Sequence, residues 1–199
     1  MSLTRVPDDE IATIVTSLQM TARPRPRPMP ASRLRLDRWR EPAPERYRTL
    51  FRRVGAPWLW FSRLAMDEAR LTAIIHHPAV EIFAVTDARG IELGMLELDF
   101  REARTCEIGY FGLVPELTGQ GEGRWLMAQA LMLAWRAGVE RVWVHTCTLD
   151  HPKALNFYRA QGFEAYARAV ETFRDPRVTG LLPVDSAPQI PMLAPESRR

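Results

Sequence analysis

The sequence predicts an α+β fold built on one mixed β-sheet, and two observations support this fold class. The first is the order of hydrophobic patterns: two strand-like segments and two helices precede three strands, after which helix, strand, helix and strand alternate. The second is the length of the connections. Short connections favour an antiparallel meander in the middle of the chain, whereas the helix between residues 114 and 141 favours a parallel crossover.

Proline and glycine delimit the elements of the first half. Alternating β-branched residues predict strands, and a 3.6-residue periodicity predicts helices. The predicted elements are strands at 11–20 and 33–39 and helices at 44–55 and 66–77. Pro44 stands at the start of its helix, Gly55 stands at its end, and Pro78 stops the next helix.

Residues 22–40 are rich in arginine and proline. Alternating prolines fix φ and remove backbone donors, so the segment is interpreted as a stiff, solvated connector within one domain. An arm for nucleic acid or an acidic partner is the alternative, although we do not expect nucleic-acid binding. We divide the single domain of 199 residues into an N-terminal strand and arm (1–32), a core (33–174) and a proline-rich tail (175–199).

The second half contains the meander and a β-α-β-α-β unit. The meander strands are predicted at 80–87, 92–100 and 105–114, with a hairpin turn at 88–90. The elements that follow are a helix at 124–138, a strand at 141–149, a helix at 151–162 and a strand at 163–173. We expect the tail from Asp175 onwards to be mobile.

Composition and charge restrict the class of protein. The chain has 46% hydrophobic and 26% charged residues and no apolar run near the roughly 20 residues of a membrane span. A net charge of +3 says little about partners. The first residues lack the basic and apolar regions of a secretory signal, so we expect a cytoplasmic protein. Cys106 and Cys147 are then expected to be reduced, and they are too few for a metal site.

Three glycines occur in LTGQGEG, residues 117–123, directly before the long helix. A helix N-terminus offers unpaired N–H groups and the positive end of its dipole, and glycines let the backbone approach a ligand closely. The segment therefore predicts an anion site, with phosphate as the leading candidate. A P-loop is excluded because Arg124 and Trp125 follow the last glycine, and a dinucleotide fingerprint is excluded because position 124 or 126 would need glycine or alanine.

A second motif follows the glycine segment. It reads A-x-x-x-Y-x-x-x-G-F, with Ala154, Tyr158, Gly162 and Phe163. Together with the strand, glycine turn and helix before it, this stretch resembles the GNAT superfamily of N-acetyltransferases. The resemblance is specific over 105–163 and follows the order of elements over 33–173. It implies a GNAT-like acyl-CoA fold and the transfer of an acetyl group from acetyl-CoA to a primary amine by direct attack.

The resemblance also implies which residues bind acetyl-CoA. The superfamily's pyrophosphate loop, Arg/Gln-x-x-Gly-x-Gly/Ala, falls on Thr118, Gly121 and Gly123, so Thr118 departs from the pattern. Arg124 could supply the missing charge or be a solvated helix residue. The preceding strand is implied to splay and pair with pantetheine, although Gly112 could be an ordinary strand glycine. The full set is Gly112, Leu113, Val114, Thr118, Gly119, Gln120, Gly121, Glu122, Gly123, Arg124 and Asn156.

Acetyl transfer to an amine needs a base and an acid. Tyr158 occupies the position of the superfamily's tyrosine that reaches the coenzyme A sulfur; a packing role is the alternative. Glu107 resembles the general base of some members, or it is an outward-facing strand residue. His145, His151 and water stay open as rival bases.

Three aromatic residues, Trp58, Trp60 and Phe61, lie between the first two helices and predict a wall for the acceptor or, alternatively, a hydrophobic plug. His76 and His77 fit helix capping instead of chemistry. We expect a small-molecule or peptide amine as acceptor and no membrane partner, and a homodimer stays open. The rival class is a non-catalytic acyl-CoA-binding or protein-interaction module of the same fold.

Overall fold

The computed structural model describes residues 3–193, which form a seven-stranded mixed sheet with helices on both faces. The strands are β1 (Glu10–Met20), β2 (Arg35–Trp39), β3 (Val80–Thr86), β4 (Glu92–Asp99), β5 (Thr105–Leu113), β6 (Arg141–Cys147) and β7 (Glu164–Arg174). The helices are α1 (Pro44–Gly55), α2 (Glu68–Ile75), α3 (Glu122–Ala134) and α4 (Ala154–Ala160). The predicted α+β fold class is confirmed, and the ends of most elements are shifted by a few residues.

The strand order in the sheet is β2-β3-β4-β5-β6-β1-β7. β3, β4 and β5 form the predicted antiparallel meander, and β5 and β6 are the parallel pair that α3 connects. The position of β1 was not predicted. It lies between β6 and β7, where Val15 is opposite Cys147 on one side and Ala169 on the other. The arginine- and proline-rich segment therefore leads from this half of the sheet to the opposite edge.

One face of the sheet is covered by α1 and α2. In α1 the buried residues Tyr47, Leu50, Phe51 and Val54 follow the i, i+3, i+4, i+7 spacing of an amphipathic helix. α2 begins later than predicted because Asp67 is its N-cap, and the carboxylate accepts a hydrogen bond of 2.7 Å from the backbone N–H of Arg70. His76 follows the last helical residue and occupies the C-cap.

The other face is covered by α3 and α4. Leu126, Met127 and Ala130 of α3 are fully buried against the sheet. Burial of a leucine or methionine side chain contributes about 1.5–3 kcal/mol, so these contacts hold α3 on the sheet. The helix begins at Glu122, two residues before the predicted start, and its N-cap is Gly121. The last glycine of the 117–123 segment is thus already helical.

The tail corrects one of our predictions. The expectation of a mobile tail is wrong for residues 175–193, because Leu182 and Ala187 are buried in the core beneath α1 and α2. Arg177 and Asp175 form a buried ion pair, and the Arg177 guanidinium also donates to backbone carbonyls of the tail, including that of Ile190 at 2.8 Å. Burial of these apolar side chains and the hydrogen bonds of Arg177 anchor this part of the tail to the domain, although many of its other residues are exposed. Residues 194–199 lie outside the described part of the chain.

Candidate active site

A gap opens in the sheet between β5 and β6. The two parallel strands pair only from Thr105 opposite Arg141 to Glu107 opposite Trp143. Beyond this point β5 stays paired with β4, and β6 stays paired with β1. A register shift in the β4–β5 pairing leaves Gly109 unpaired, and such a bulge bends a strand. The strands diverge after Glu107, which lies at the vertex of the gap.

This gap is part of a cleft of about 650 Å³. One end of the cleft, the glycine-loop end, is lined by Thr118, Gly119 and Gly123. The other end, the acidic end, is lined by Glu97, Asp99, Glu107 and Glu171. The cleft therefore connects the predicted anion site with the predicted base in one cavity.

The glycine-loop end presents backbone donors at the start of α3. Gly119 and Gly121 have φ values of +80° and +88°, a region that residues with a Cβ atom seldom adopt. Within the part of the chain that the structure describes, no side chain caps the helix, so N–H groups of its first turn are available to a ligand. The end of the Arg124 side chain would lie 3.5 Å from a Cβ atom placed on Gly121, so its positive charge lies beside the turn.

The eleven residues that the resemblance assigned to acetyl-CoA fall into two groups. Those that line the cleft are Gly112, Leu113, Thr118, Gly119 and Gly123. Those outside its lining are Val114, Gln120, Gly121, Glu122, Arg124 and Asn156. The Val114 side chain packs into the core, and the exposed Asn156 lies on α4. The Glu122 carboxylate accepts a 2.6 Å hydrogen bond from the hydroxyl of Ser32, which ties the arginine- and proline-rich segment to the start of α3.

Tyr158 faces the middle of the cleft from α4. Its ring packs edge-on against Phe111 and Phe163, with centroid distances of 6.1 and 5.9 Å. Burial, together with the charge of Asp150, raises the pKa of the Tyr158 hydroxyl well above its usual range. The hydroxyl therefore stays protonated at neutral pH and can donate a hydrogen bond or a proton into the cleft.

Glu107 and His145 meet at the vertex of the gap. His145 Nδ1 lies 3.5 Å from Glu107 Oε1, and the two side chains are 48% and 26% exposed. Interaction with the Glu107 carboxylate raises the pKa of His145 because it stabilises the imidazolium, and the charges of Asp150 and Glu171 act in the same direction. The two residues that the sequence offered as rival bases are therefore neighbours.

His151 lies elsewhere, at the start of α4. Its ring packs edge-on against Trp58 with the centroids 5.4 Å apart, and its Nδ1 accepts a hydrogen bond from the backbone N–H of Lys153. These contacts anchor the turn before α4. They do not bring His151 to the Glu107 carboxylate.

A buried ion pair lies behind the acidic end. Glu97 is fully buried, pairs with Arg63 and accepts a 2.6 Å hydrogen bond from the Tyr47 hydroxyl. Burial, reinforced by the nearby Glu97, raises the pKa of Tyr47, which keeps this donor protonated. Sequence reasoning missed the network. The available signal was the alternation in β4, which places Glu97 on the same face as the buried Met95.

Trp58, Trp60 and Phe61 all line the cleft. Val54 of α1 and Trp60 pack so closely on β5 that a Cβ atom on Gly112 would lie 2.6 Å from the Val54 Cγ1 atom and 3.0 Å from the Trp60 ring. Gly112 is therefore needed for close approach of the two segments. The Trp60 indole donates a 3.3 Å hydrogen bond to Asp150, which also accepts hydrogen bonds from Thr146 and the backbone of Cys147. Asp150 fixes the wall to β6, and sequence reasoning missed this residue.

The far wall of the cleft comes from β1 and β7. Thr13 and Val15 of β1 and Glu171 and Phe173 of β7 line it. The ring of Phe173 stacks on that of Phe61 at 4.6 Å. None of these four residues had been predicted as part of the site, because only the insertion of β1 between β6 and β7 brings them to it.

A parallel strand pair that opens over an uncapped glycine turn, inside a mixed α+β sheet, defines an acyltransferase fold. The sequence of residues 20–163 matches the family model described as the acetyltransferase (GNAT) family. The chain therefore belongs to the GNAT acetyltransferases, as the sequence motifs predicted. Its sequence matches no curated protein significantly.

Solved structures share the fold at low sequence identity. A GCN5-related N-acetyltransferase from Sphaerobacter thermophilus is 16% identical, with a TM-score of 0.57. The match covers 81% of this chain but only 51% of the length of that protein. An aminoglycoside acetyltransferase from an uncultured soil metagenomic sample, in complex with sisomicin, is 19% identical with a TM-score of 0.53 over 65% of this chain and 88% of its own. A dodecameric spermidine N-acetyltransferase from Vibrio cholerae is 18% identical with a TM-score of 0.53 over 74% of this chain and 97% of its own.

Two further observations concern the described residues only. Among residues 3–193, no helix is both long and apolar enough to cross a membrane. The same part of the chain contains no group of three or more His, Cys, Asp or Glu residues that could hold a metal ion.

Proposed function

We propose that this chain transfers the acetyl group of acetyl-CoA to a primary amine of a small molecule or peptide. The observation that carries the proposal is the single cleft that connects the uncapped start of α3 with Glu107. A reaction between a bound thioester and an amine needs both partners in one cavity. We expect the reaction to take place in the cytoplasm.

The residues at the glycine-loop end suit acetyl-CoA. The first turn of α3 and the adjacent glycines would bind the pyrophosphate through backbone N–H groups and the helix dipole. Arg124 beside Gly121 would add a positive charge in place of the side chain that Thr118 lacks. The half of β5 that lacks a partner on the β6 side, from Ile108 onwards, would pair with the pantetheine amides.

The residues near the vertex suit proton transfer. Acetyl-CoA supplies an activated acetyl group, held as a thioester, when it is bound. Glu107 would accept the proton that the amine loses as its nitrogen forms the new C–N bond. Tyr158 would donate its proton to the sulfur as the C–S bond breaks, and burial keeps that proton on the hydroxyl beforehand.

His145 gives Glu107 a partner for this role. His145 Nδ1 lies 3.5 Å from Glu107 Oε1, so a neutral His145 would take over the proton that Glu107 accepts and, because it is half exposed, release it to solvent and leave Glu107 ionised again. Direct attack with Glu107 as base is the mechanism that we propose, with transfer through water or His145 as its variant. The small-molecule amines named for two of the structural relatives, sisomicin and spermidine, support an amine acceptor.

Two measurements test the proposal together. Thiol release would be followed over a panel of amines, with mass spectrometry to identify acetylated products, and acetyl-CoA binding would be measured by calorimetry. We expect micromolar to millimolar binding and amine-dependent thiol release. Binding without turnover of any amine would favour the non-catalytic module, and absence of binding would overturn the proposal.

A further inference from the structure

The charges at the acidic end of the cleft are not balanced. Two arginines line it, and each already has a carboxylate partner: Arg63 pairs with Glu97, and Arg101 donates to both oxygens of Asp99 at 2.5–3.0 Å. Neither guanidinium is therefore available to neutralise an anionic ligand without breaking an existing pair.

Two carboxylates at the same end lack an arginine partner. Glu107 has His145 within salt-bridge distance, at 3.5 Å, and Glu171 forms no salt bridge within residues 3–193. Two further basic residues line the cleft. His151 packs against Trp58, and the exposed Lys153 immediately precedes α4, one turn before Phe157, which packs beside Gly123 at the glycine-loop end. Unpaired negative charge therefore lies at the acidic end, where a bound cation would be stabilised and a bound anion repelled.

The pKa of His145 is shifted upwards, which is the direction that this charge distribution predicts. The pKa of His145 is raised by its interaction with Glu107, and the charges of Asp150 and Glu171 also raise it. A cation at this position is therefore favoured by three separate carboxylates, which lie on β5, on β7 and in the connection after β6.

Apolar and aromatic groups complete the same end of the cleft. The stacked rings of Phe61 and Phe173 lie there, and Phe173 is two residues from Glu171 on the same strand face. Met66 and Val15 also contribute to the lining. Such a surface binds an aromatic or aliphatic body, and aromatic ring faces attract cations.

This inference rests on the proposed function. We propose that the acceptor is a cationic amine with an apolar or aromatic body and without a carboxylate or phosphate near its reactive nitrogen. Arylalkylamines fit this description, and free α-amino acids do not. Glu171 is the specificity-determining residue that we assign, because it is unpaired, lines the cleft and lies beside the Phe61–Phe173 stack.

Matched amine pairs test the substrate class. Phenethylamine and phenylalanine differ only in the α-carboxylate, as do tyramine and tyrosine, and ethanolamine is a cation without an apolar body. We expect kcat/KM for each arylalkylamine to exceed that of its amino acid by about 100-fold or more, and that of ethanolamine by about 10-fold. Equal or better turnover of the amino acids would overturn the inference and leave the proposed function intact.

A pair of variants tests the role of Glu171. We expect Glu171→Gln to raise the KM for phenethylamine by about 5- to 20-fold without changing the KM for acetyl-CoA. Glu171 and Glu164 are both exposed residues of β7, but Glu164, opposite Gln19, does not line the cleft, so Glu164→Gln removes the same charge and should change neither constant. An unchanged amine KM in Glu171→Gln would contradict the assignment.

Calorimetry separates failure of this inference from failure of the proposed function. Should no amine be acetylated, binding of phenethylamine and phenylalanine to the protein would still be compared. Preferential binding of phenethylamine would support a cation site in a protein that is not an N-acetyltransferase. Binding of neither compound at about 10 mM would overturn the inference.

Discussion

The glycine-loop end of the cleft is made of backbone, whereas the acidic end is made of side chains. The first presents N–H groups of an uncapped helix and two glycines with positive φ. The second presents carboxylates, aromatic rings and the Glu107–His145 pair. Backbone donors bind a phosphate through hydrogen bonds that any sequence with the right turn could provide, and side chains decide which amine can approach.

The two ends also differ in how the chain builds them. The glycine-loop end comes from one continuous stretch, from Gly112 near the end of β5 to Gly123 in α3. The acidic end combines the start of β5 with β1, β4, β7 and the α1–α2 connection, which are far apart in sequence. Substitutions at the first end should therefore affect coenzyme binding, and those at the second should affect the amine.

The largest effect is expected for Gly121→Val. The φ of +88° strains any residue with a Cβ atom, and the valine side chain would occupy the space beside the turn. We expect acetyl-CoA affinity to fall by about 100-fold or more, measured by calorimetry, in a folded protein. Gly138→Val is the matched control, because Gly138 has a φ of +86° in the turn after α3, at the opposite end of that helix from the glycine loop. Affinity within a few-fold of wild type in Gly121→Val would reject the loop as coenzyme site.

Tyr158→Phe comes next. The variant removes a hydroxyl that acts chiefly in the transition state, so kcat should fall by about 10- to 1,000-fold with acetyl-CoA affinity nearly unchanged. Tyr166→Phe removes a hydroxyl from an exposed position on β7 and should leave steady-state kinetics unaltered. Full kcat with weakened binding in Tyr158→Phe would make the tyrosine a packing residue.

Glu107→Gln should reduce the rate by about 10- to 100-fold at pH 7. If Glu107 is the base, its loss flattens the acidic limb of the pH–rate profile, and higher pH partly restores the rate because more of the amine is neutral. The pKa of His145 should also fall toward its ordinary value, since the carboxylate that stabilises the imidazolium is gone. NMR titration of the His145 ring checks this shift independently of turnover.

An unchanged pH profile in Glu107→Gln would move the base elsewhere. His145→Asn and His151→Asn would then be compared. His145 contacts Glu107, whereas His151 packs against Trp58. A rate loss confined to His145→Asn would show that the Glu107–His145 pair accepts the proton. A rate loss confined to His151→Asn would place the base at the start of α4.

Arg177→Met should have the smallest effect on catalysis. The tail that Arg177 holds together contacts the α1–α2 connection, where Gln189 donates a 2.8 Å hydrogen bond to the carbonyl of Pro57. We expect the KM for the amine to rise a few-fold and the KM for acetyl-CoA to stay constant. The free energy of unfolding should fall by about 3 kcal/mol because Asp175 is left buried without its partner.

Arg174→Met is the control for this change, since Arg174 is 65% exposed and forms its salt bridge with Asp9, which is also partly exposed to solvent. Chemical denaturation measures the stability of both variants, and the exposed pair should contribute about 1 kcal/mol or less. Equal changes in the two KM values of Arg177→Met would show that the tail does not act on the amine end alone.

Much of the fold and one end of the site could be predicted from local patterns. The meander, the parallel crossover and the start of α3 follow from periodicity, turn residues and the glycine segment, all of which act over a few positions. Glu107, His145 and Tyr158 were each recognised as candidates because they stand next to these local motifs. Their mutual distances were not predictable, because they depend on how β5, β6 and α4 pack.

The sequence by itself determined the elements, the glycine turn before α3 and the family, because each depends on residues that are neighbours in the chain. Only the tertiary structure decided that β1 enters the sheet between β6 and β7 and brings Thr13, Glu171 and Phe173 to the cleft. It also decided that the proline-rich tail is packed, and that Arg63 is already paired with Glu97. These outcomes depend on burial and on charge pairs between distant segments, whose partners a one-dimensional pattern does not contain.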